Sequence, residues 1–218
     1  MKRVFGVLAL SLAGAGGLAL SAGQAQALAL NDLVGKTIVA GDKTISDITI
    51  GGGFTPTANQ TINFSVASSS WVVSTNFAPD QSNTQGVTSN NPGILSYKIT
   101  INDPTMYFSR IQIQGDDTTI NGGSTDQKVT STGVTGTLDS VDGNPVPAVS
   151  FSSDVQTISV TSTFFTSNPA SFNNISQKFT QKARIIPPSS VPSPLSLLGL
   201  GSAFGVSRQL RRRIRQAG

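Results

Sequence analysis

Short runs in which β-branched or aromatic residues return at every second position constrain this chain more than any other feature. Ile62, Phe64 and Val66 alternate with Asn63 and Ser65, and Leu95, Tyr97, Ile99 and Ile101 alternate with Ser96, Lys98 and Thr100. Tyr107, Ile111 and Ile113 share one phase, as do Ile158, Val160 and Phe164, and a last set comprises Ile175, Phe179, Ala183 and Ile185. A two-residue period puts one side of each run on a buried face and the other in water, which is the pattern of half-buried strands. Gly51-Gly52-Gly53, Asn90-Asn91-Pro92-Gly93, Asp103-Pro104, Asn121-Gly122-Gly123 and Asp142-Gly143-Asn144-Pro145 punctuate the runs with turn chemistry. No long stretch follows a helical period. The expected fold is all-β, an antiparallel sandwich of roughly eight to ten strands with immunoglobulin-like or jelly-roll winding. Phe64, Trp71, Phe77, Tyr97 and Phe108 are expected in its core, and residues 78–89 and 115–133 read as long loops or wide hairpins.

Missing residue types narrow the chemistry. The chain has no cysteine, histidine or glutamate, and all eleven acids are aspartate. Disulfides, thiolate metal sites, imidazole bases and Ser–His–Asp triads are therefore excluded. Asp116-Asp117 with Asp126, and Asp139 with Asp142, are the two acidic groupings that could offer hard oxygens to calcium. Neither follows an EF-hand pattern, and the sequence lacks the glutamate that supplies the usual bidentate ligand, so they read as turn aspartates. Paired aspartates could also serve a glycosidase, but nothing in the sequence pairs them. No cofactor is expected, and the chain is read as a non-enzyme.

The fifteen basic residues are unevenly spread. Lys2 and Arg3 open the chain and Arg208, Arg211, Arg212, Arg213 and Arg215 lie near its end, leaving eight bases against eleven aspartates between residues 28 and 190. A net charge of −3 there argues against a nucleic-acid partner. At the N-terminus, Met1-Lys2-Arg3 precedes an apolar stretch from Val4 to Leu20, then a small and polar segment ending Ala25-Gln26-Ala27. That order is a secretory signal peptide over residues 1–27, with Ala25 and Ala27 marking the signal peptidase site. A retained membrane helix is the competing reading, weakened by Gly6, Gly14, Gly16, Gly17 and Gly23.

After a domain over 28–186 comes a Pro/Ser spacer and motif over 187–194, then an apolar segment and arginine cluster over 195–218. Val191-Pro192-Ser193-Pro194-Leu195, Leu197-Leu198-Gly199, Ala203-Phe204-Gly205 and Ser207-Arg208-Gln209-Leu210-Arg211-Arg212-Arg213 together resemble the PEP-CTERM sorting signal, in its cyanobacterial form. Pro192-Ser193-Pro194 stands where that family carries Pro-Glu-Pro. The resemblance implies an exosortase-like processing enzyme as partner, Val191, Pro192 and Pro194 as sorting motif, and membrane attachment through the tail. A helix over Leu195 to Val206 would span ~18 Å, against a hydrocarbon core of roughly 30 Å; the stretch from Val191 to Leu210 is twenty residues. By the positive-inside rule, the arginines stay cytoplasmic and the domain lies outside. A lipid- or nucleic-acid-binding basic tail and an amphipathic surface helix are the competing readings.

The sequence therefore leads us to expect an exported protein, membrane-anchored or at the cell surface, with a structural or adhesive role in matrix or biofilm. An extracellular carbohydrate-binding module is the alternative, with extracellular polysaccharide as partner and Trp71, Tyr97 and Tyr107 as candidate stacking rings. A secreted hydrolase ranks third.

Overall fold

The computed structural model describes residues 18–20, 26–67, 69–77, 84, 87–114, 118–119, 123–167 and 169–185. The chain folds into two antiparallel sheets packed face to face as a sandwich. In the seven-stranded sheet the spatial order is β1 (Leu18–Leu20), β3 (Ile38–Ala40), β4 (Lys43–Gly52), β7 (Gly93–Ile101), β13 (Thr157–Thr166), β10 (Thr125–Ser131) and β11 (Leu138–Val141). In the six-stranded sheet it is β12 (Val149–Val155), β8 (Met106–Ile113), β15 (Asn174–Ala183), β6 (Ser70–Asn76), β5 (Thr61–Ala67) and β2 (Gln26–Ala29). Two short strands, β9 (Thr118–Thr119) and β14 (Ser171–Phe172), pair with each other. Every pairing is antiparallel except that of β1 with β3. Contacts divide the chain after Arg184, and the tail beyond Ile185 lies outside the described residues.

Alternation along each strand builds the core. On β7 the buried series is Gly93, Leu95, Tyr97, Ile99 and Ile101. On β13 it is Ile158, Val160, Ser162, Phe164 and Thr166. Register aligns them into rows, with Ile45 beside Ile99 and Ile99 beside Ile158. Two aromatic groups fill the core, one spanning both sheets and one built on the six-stranded sheet. Phe54, Phe77 and Phe164 have ring centroids 5.3–5.4 Å apart, and Phe172 sits 5.7 Å from Phe164. Elsewhere Trp71 stacks on Phe64 at 5.4 Å and lies 6.4 Å from Phe179, which meets Phe108 edge-on at 6.0 Å. Phe64, Trp71, Phe77, Tyr97 and Phe108 are all buried, as the sequence implied.

Three expectations need correction. The stretch 115–133 contains a full strand, β10, whose inward residues are Thr125, Gln127, Val129 and Ser131; with one apolar residue in four, alternation of hydrophobicity could not reveal it. Tyr107 does not share the phase of Ile111 and Ile113. A register shift opposite Thr180 and Gln181 turns Phe108 inward and leaves Tyr107 half-buried on the other face. Ala183 and Ile185 are exposed, so the buried phase of the last strand ends before them.

Gly52 shows why the glycine-rich turn signal has to be glycine. Its φ is +71°, and an added Cβ would collide with the Pro92 carbonyl oxygen. Gly93 lies under the Phe164 ring, where an added Cβ would collide with Cζ. Phe164 thus receives rings from one side and a bare backbone from the other. Replacing Phe164 with Ala should lower the free energy of unfolding by about 3–5 kcal/mol, measured by urea titration, because the cavity is walled by rings and backbone that collapse poorly.

Candidate functional site

The sequence-predicted residues separate into three groups. Ala25, the sorting motif Val191, Pro192 and Pro194, and the cluster Arg208, Arg211, Arg212, Arg213 and Arg215 lie outside the described residues, as do Asp116 and Asp117. Ala27 is exposed and sits in β2, paired with Asn63, so the Ala27–Leu28 bond falls within an edge strand. Just beyond, Leu30 is buried and its N–H donates to the Gln60 carbonyl at 2.8 Å.

The remaining aspartates of the two acidic groupings gather around the β10–β11 hairpin. Lys128 on β10 faces Asp139 on β11, with Nζ 2.6 Å from Asp139 Oδ2 and 3.2 Å from Asp126 Oδ2. Asp142, in the turn after β11, accepts from the Thr125 N–H at 3.0 Å. Burial raises the pKa of Asp126, aided by neighbouring Asp139 and opposed by Lys128. Asp139 is lowered, mainly by its bond with Lys128. The lysine stands between the two carboxylates, so chemically this is an ion-pair brace on an outward sheet face. Among the described residues, no three acids come together as a metal-ligating group.

The proposed sugar-stacking rings do not form a strip. Trp71 and Tyr97 are each 2% exposed and point into the core, which leaves Tyr107 alone half-buried at the surface. Tyr97 serves another purpose: its hydroxyl crosses between the sheets and donates to Gln177 Oε1 at 2.9 Å. Burial raises its pKa well above the ordinary phenol value. Within the seven-stranded sheet, Gln127 Nε2 donates to Ser162 Oγ at 2.9 Å. Gln177 Nε2 and Gln127 Oε1 are buried without a hydrogen-bond partner.

Sequence reasoning also missed how charge is partitioned. Each lysine on the strands of the seven-stranded sheet is ion-paired: Lys43 with Asp42 at 2.5 Å, Lys98 with Asp47 at 2.6 Å, and Lys128 as above. On the six-stranded sheet the strand cations Arg110, Lys178 and Lys182 enter none of the ion pairs found among the described residues. Lys43 is the extreme case, with a side chain 1% exposed. Burial pulls its pKa below the ordinary lysine value, while Asp42 and, more weakly, Asp103 pull it back.

No family model matches the chain, and no curated protein matches it. Among the described residues, no helix is long and apolar enough to cross a membrane.

Two outcomes test these buried polar groups. Tyr97→Phe should cost about 1–3 kcal/mol by leaving the Gln177 carbonyl unpaired, whereas Tyr97→Phe with Gln177→Met should recover most of that loss; urea unfolding of the two variants decides it. Asp42→Ala should destabilise by about 3 kcal/mol at pH 7, because it strands a buried ammonium. Since the folded state disfavours protonated Lys43, wild-type stability contributed by this group rises as pH passes from its lowered pKa toward 10.5. The deficit of Asp42→Ala should shrink over that window, followed by unfolding curves at pH 7 and pH 10.

Proposed function

We propose that this chain is an exported, surface-displayed bacterial protein with a structural or adhesive, non-catalytic role. The observation that carries the reading is the pair of apolar segments, Val4 to Leu20 and Leu195 to Val206, each flanked by basic residues. Basic flanks stay in the cytosol, so both segments hold the intervening domain on the far side of the membrane. Signal peptidase cuts after Ala27, and the tail is handled by an exosortase-like enzyme at the Val191-Pro192-Ser193-Pro194 motif, leaving the product membrane-anchored or at the cell surface. With no cysteine in the chain, the domain relies on its core alone for stability outside the cell. We read its winding as immunoglobulin-like or jelly-roll, a reading supported by β7 lying beside β13 in one sheet and β8 beside β15 in the other.

Cleavage after Ala27 removes β1 and shortens β2 to Leu28 and Ala29, which remain paired with Ile62 and Thr61. The buried Leu30 then anchors the new N-terminus. Carbohydrate binding is the second reading, and the half-buried Tyr107 favours it.

Deleting residues 191–218 should release the protein into the medium, and mass spectrometry of the wild-type product should read a mature N-terminus at Leu28. Retention of the truncated protein in the envelope would show that the tail is no anchor, and an intact Met1 on the cellular protein would remove the export reading.

A further inference from the structure

Arg110, Lys178 and Lys182 belong to two adjacent strands of the six-stranded sheet. Phe179 pairs with Ile111 and both are buried, so Lys178 and Thr180 on one strand and Arg110 on the other point outward. Arg110 lies opposite Thr180, between Lys178 and Lys182. Diagonal neighbours on a sheet face sit roughly 7–8 Å apart, close enough for like charges to repel. The register shift beyond Thr180 keeps Lys182 on the same face, opposite Tyr107. Arg184, one residue past the strand, is exposed as well. The strip from Lys178 to Lys182 runs roughly 13 Å along the strand.

Among the described residues, no ion pair neutralises the strip. Ser150 lies on the far side of Arg110, and Val72 on the far side of Lys178. Among the described residues of this sheet's strands, Asp154 is the one acid, and it contributes its backbone carbonyl to Arg184. The other sheet pairs every strand lysine with an aspartate, so the domain has the means to compensate cations and does not use them here.

We propose that this face is a binding surface for an acidic polysaccharide of the uronate-bearing kind, resting on the reading of the chain as an exported protein. Three cations, two along one strand and the third between them on its neighbour, suit the repeated carboxylates of a linear polyuronate. Tyr107 supplies a ring beside Lys182 on which a sugar can stack through its C–H face. A membrane surface fits less well, because interfacial binding calls for an apolar face. The large exposed hydrophobics among the described residues are Val34, Val141 and Ile185, and none is on a strand of this sheet.

The test uses the purified full-length chain on immobilised polygalacturonate, with dextran as the neutral control. Retention on polygalacturonate but not dextran is expected, weakening roughly tenfold or more between 50 and 200 mM salt as released counterions set the balance. The variant R110T/K178T/K182T should abolish retention while unfolding at the same or higher urea concentration, since repulsion is relieved. Lys98→Thr, on the opposite sheet, should bind as wild type. Tyr107→Ser should weaken polygalacturonate binding while leaving binding to inorganic polyphosphate unchanged. Absence of binding, binding that survives the triple substitution, or equally tight binding to anionic vesicles or duplex DNA would each overturn the proposal. Binding is read on isolated protein, so its failure leaves the export reading standing, and failure of tail-dependent anchoring leaves a positive binding result intact.

Discussion

Two-residue periodicity in burial is the constraint on which the rest of this structure depends. Each strand gives one face to the space between the sheets, and slipping a strand by one residue would send its whole apolar set into water. With no cysteine in the chain, no covalent link corrects such a slip. The register has to be fixed by what fills the interior, and the phenylalanines do much of this. Phe164 touches Phe54, Phe77 and Phe172, and through Phe77 and Phe172 a strand of one sheet is keyed to segments that flank strands of the other. Gly93, directly beneath it, sets the depth to which that ring can sink.

Polar groups inside the sandwich add selectivity at some cost in stability. Tyr97 reaches Gln177 across the gap, and Gln127 reaches Ser162 within one sheet, yet each amide keeps one buried atom unpaired. A wholly apolar interior would avoid that desolvation, but it would also tolerate more than one way of mating two sheets of similar residues. The hydroxyl-to-amide bond from Tyr97 to Gln177 exists only in one mating. At the sandwich edge, Lys43 beside Asp42 makes a comparable demand, because a buried ammonium is acceptable only where its carboxylate is.

How far the sequence disclosed this arrangement depends on what each strand buries. The strands β5, β7 and β13 carry apolar residues on their inward faces, so their alternation is plain from residue types alone. The strand β10 buries threonine, glutamine, valine and serine; its pattern is real in space but silent in hydrophobicity. Tyr107 was misjudged for a different reason. A bulge changes phase without leaving a mark in composition, and only the register of β8 against β15 reveals it. Signals such as those proposed for the two ends are linear and can be carried by a short stretch of sequence, whereas the cationic face is assembled from strands distant in sequence.

The cationic face illustrates that last point. In the linear sequence Arg110, Lys178 and Lys182 are isolated bases within a region of net negative charge, and averaging over the region hides them. Folding sorts charges by side: the three aspartates on strands of the seven-stranded sheet pair with its lysines, while β8 and β15 bring their cations together with Thr180, Ser150, Val72 and Tyr107 in register beside them. A net charge of −3 therefore describes neither face. Because surface charges farther apart than about 8–10 Å are largely screened at physiological salt, an approaching polymer responds to the face it meets rather than to the total. On that ground, local pairing is the better guide to what this domain attracts.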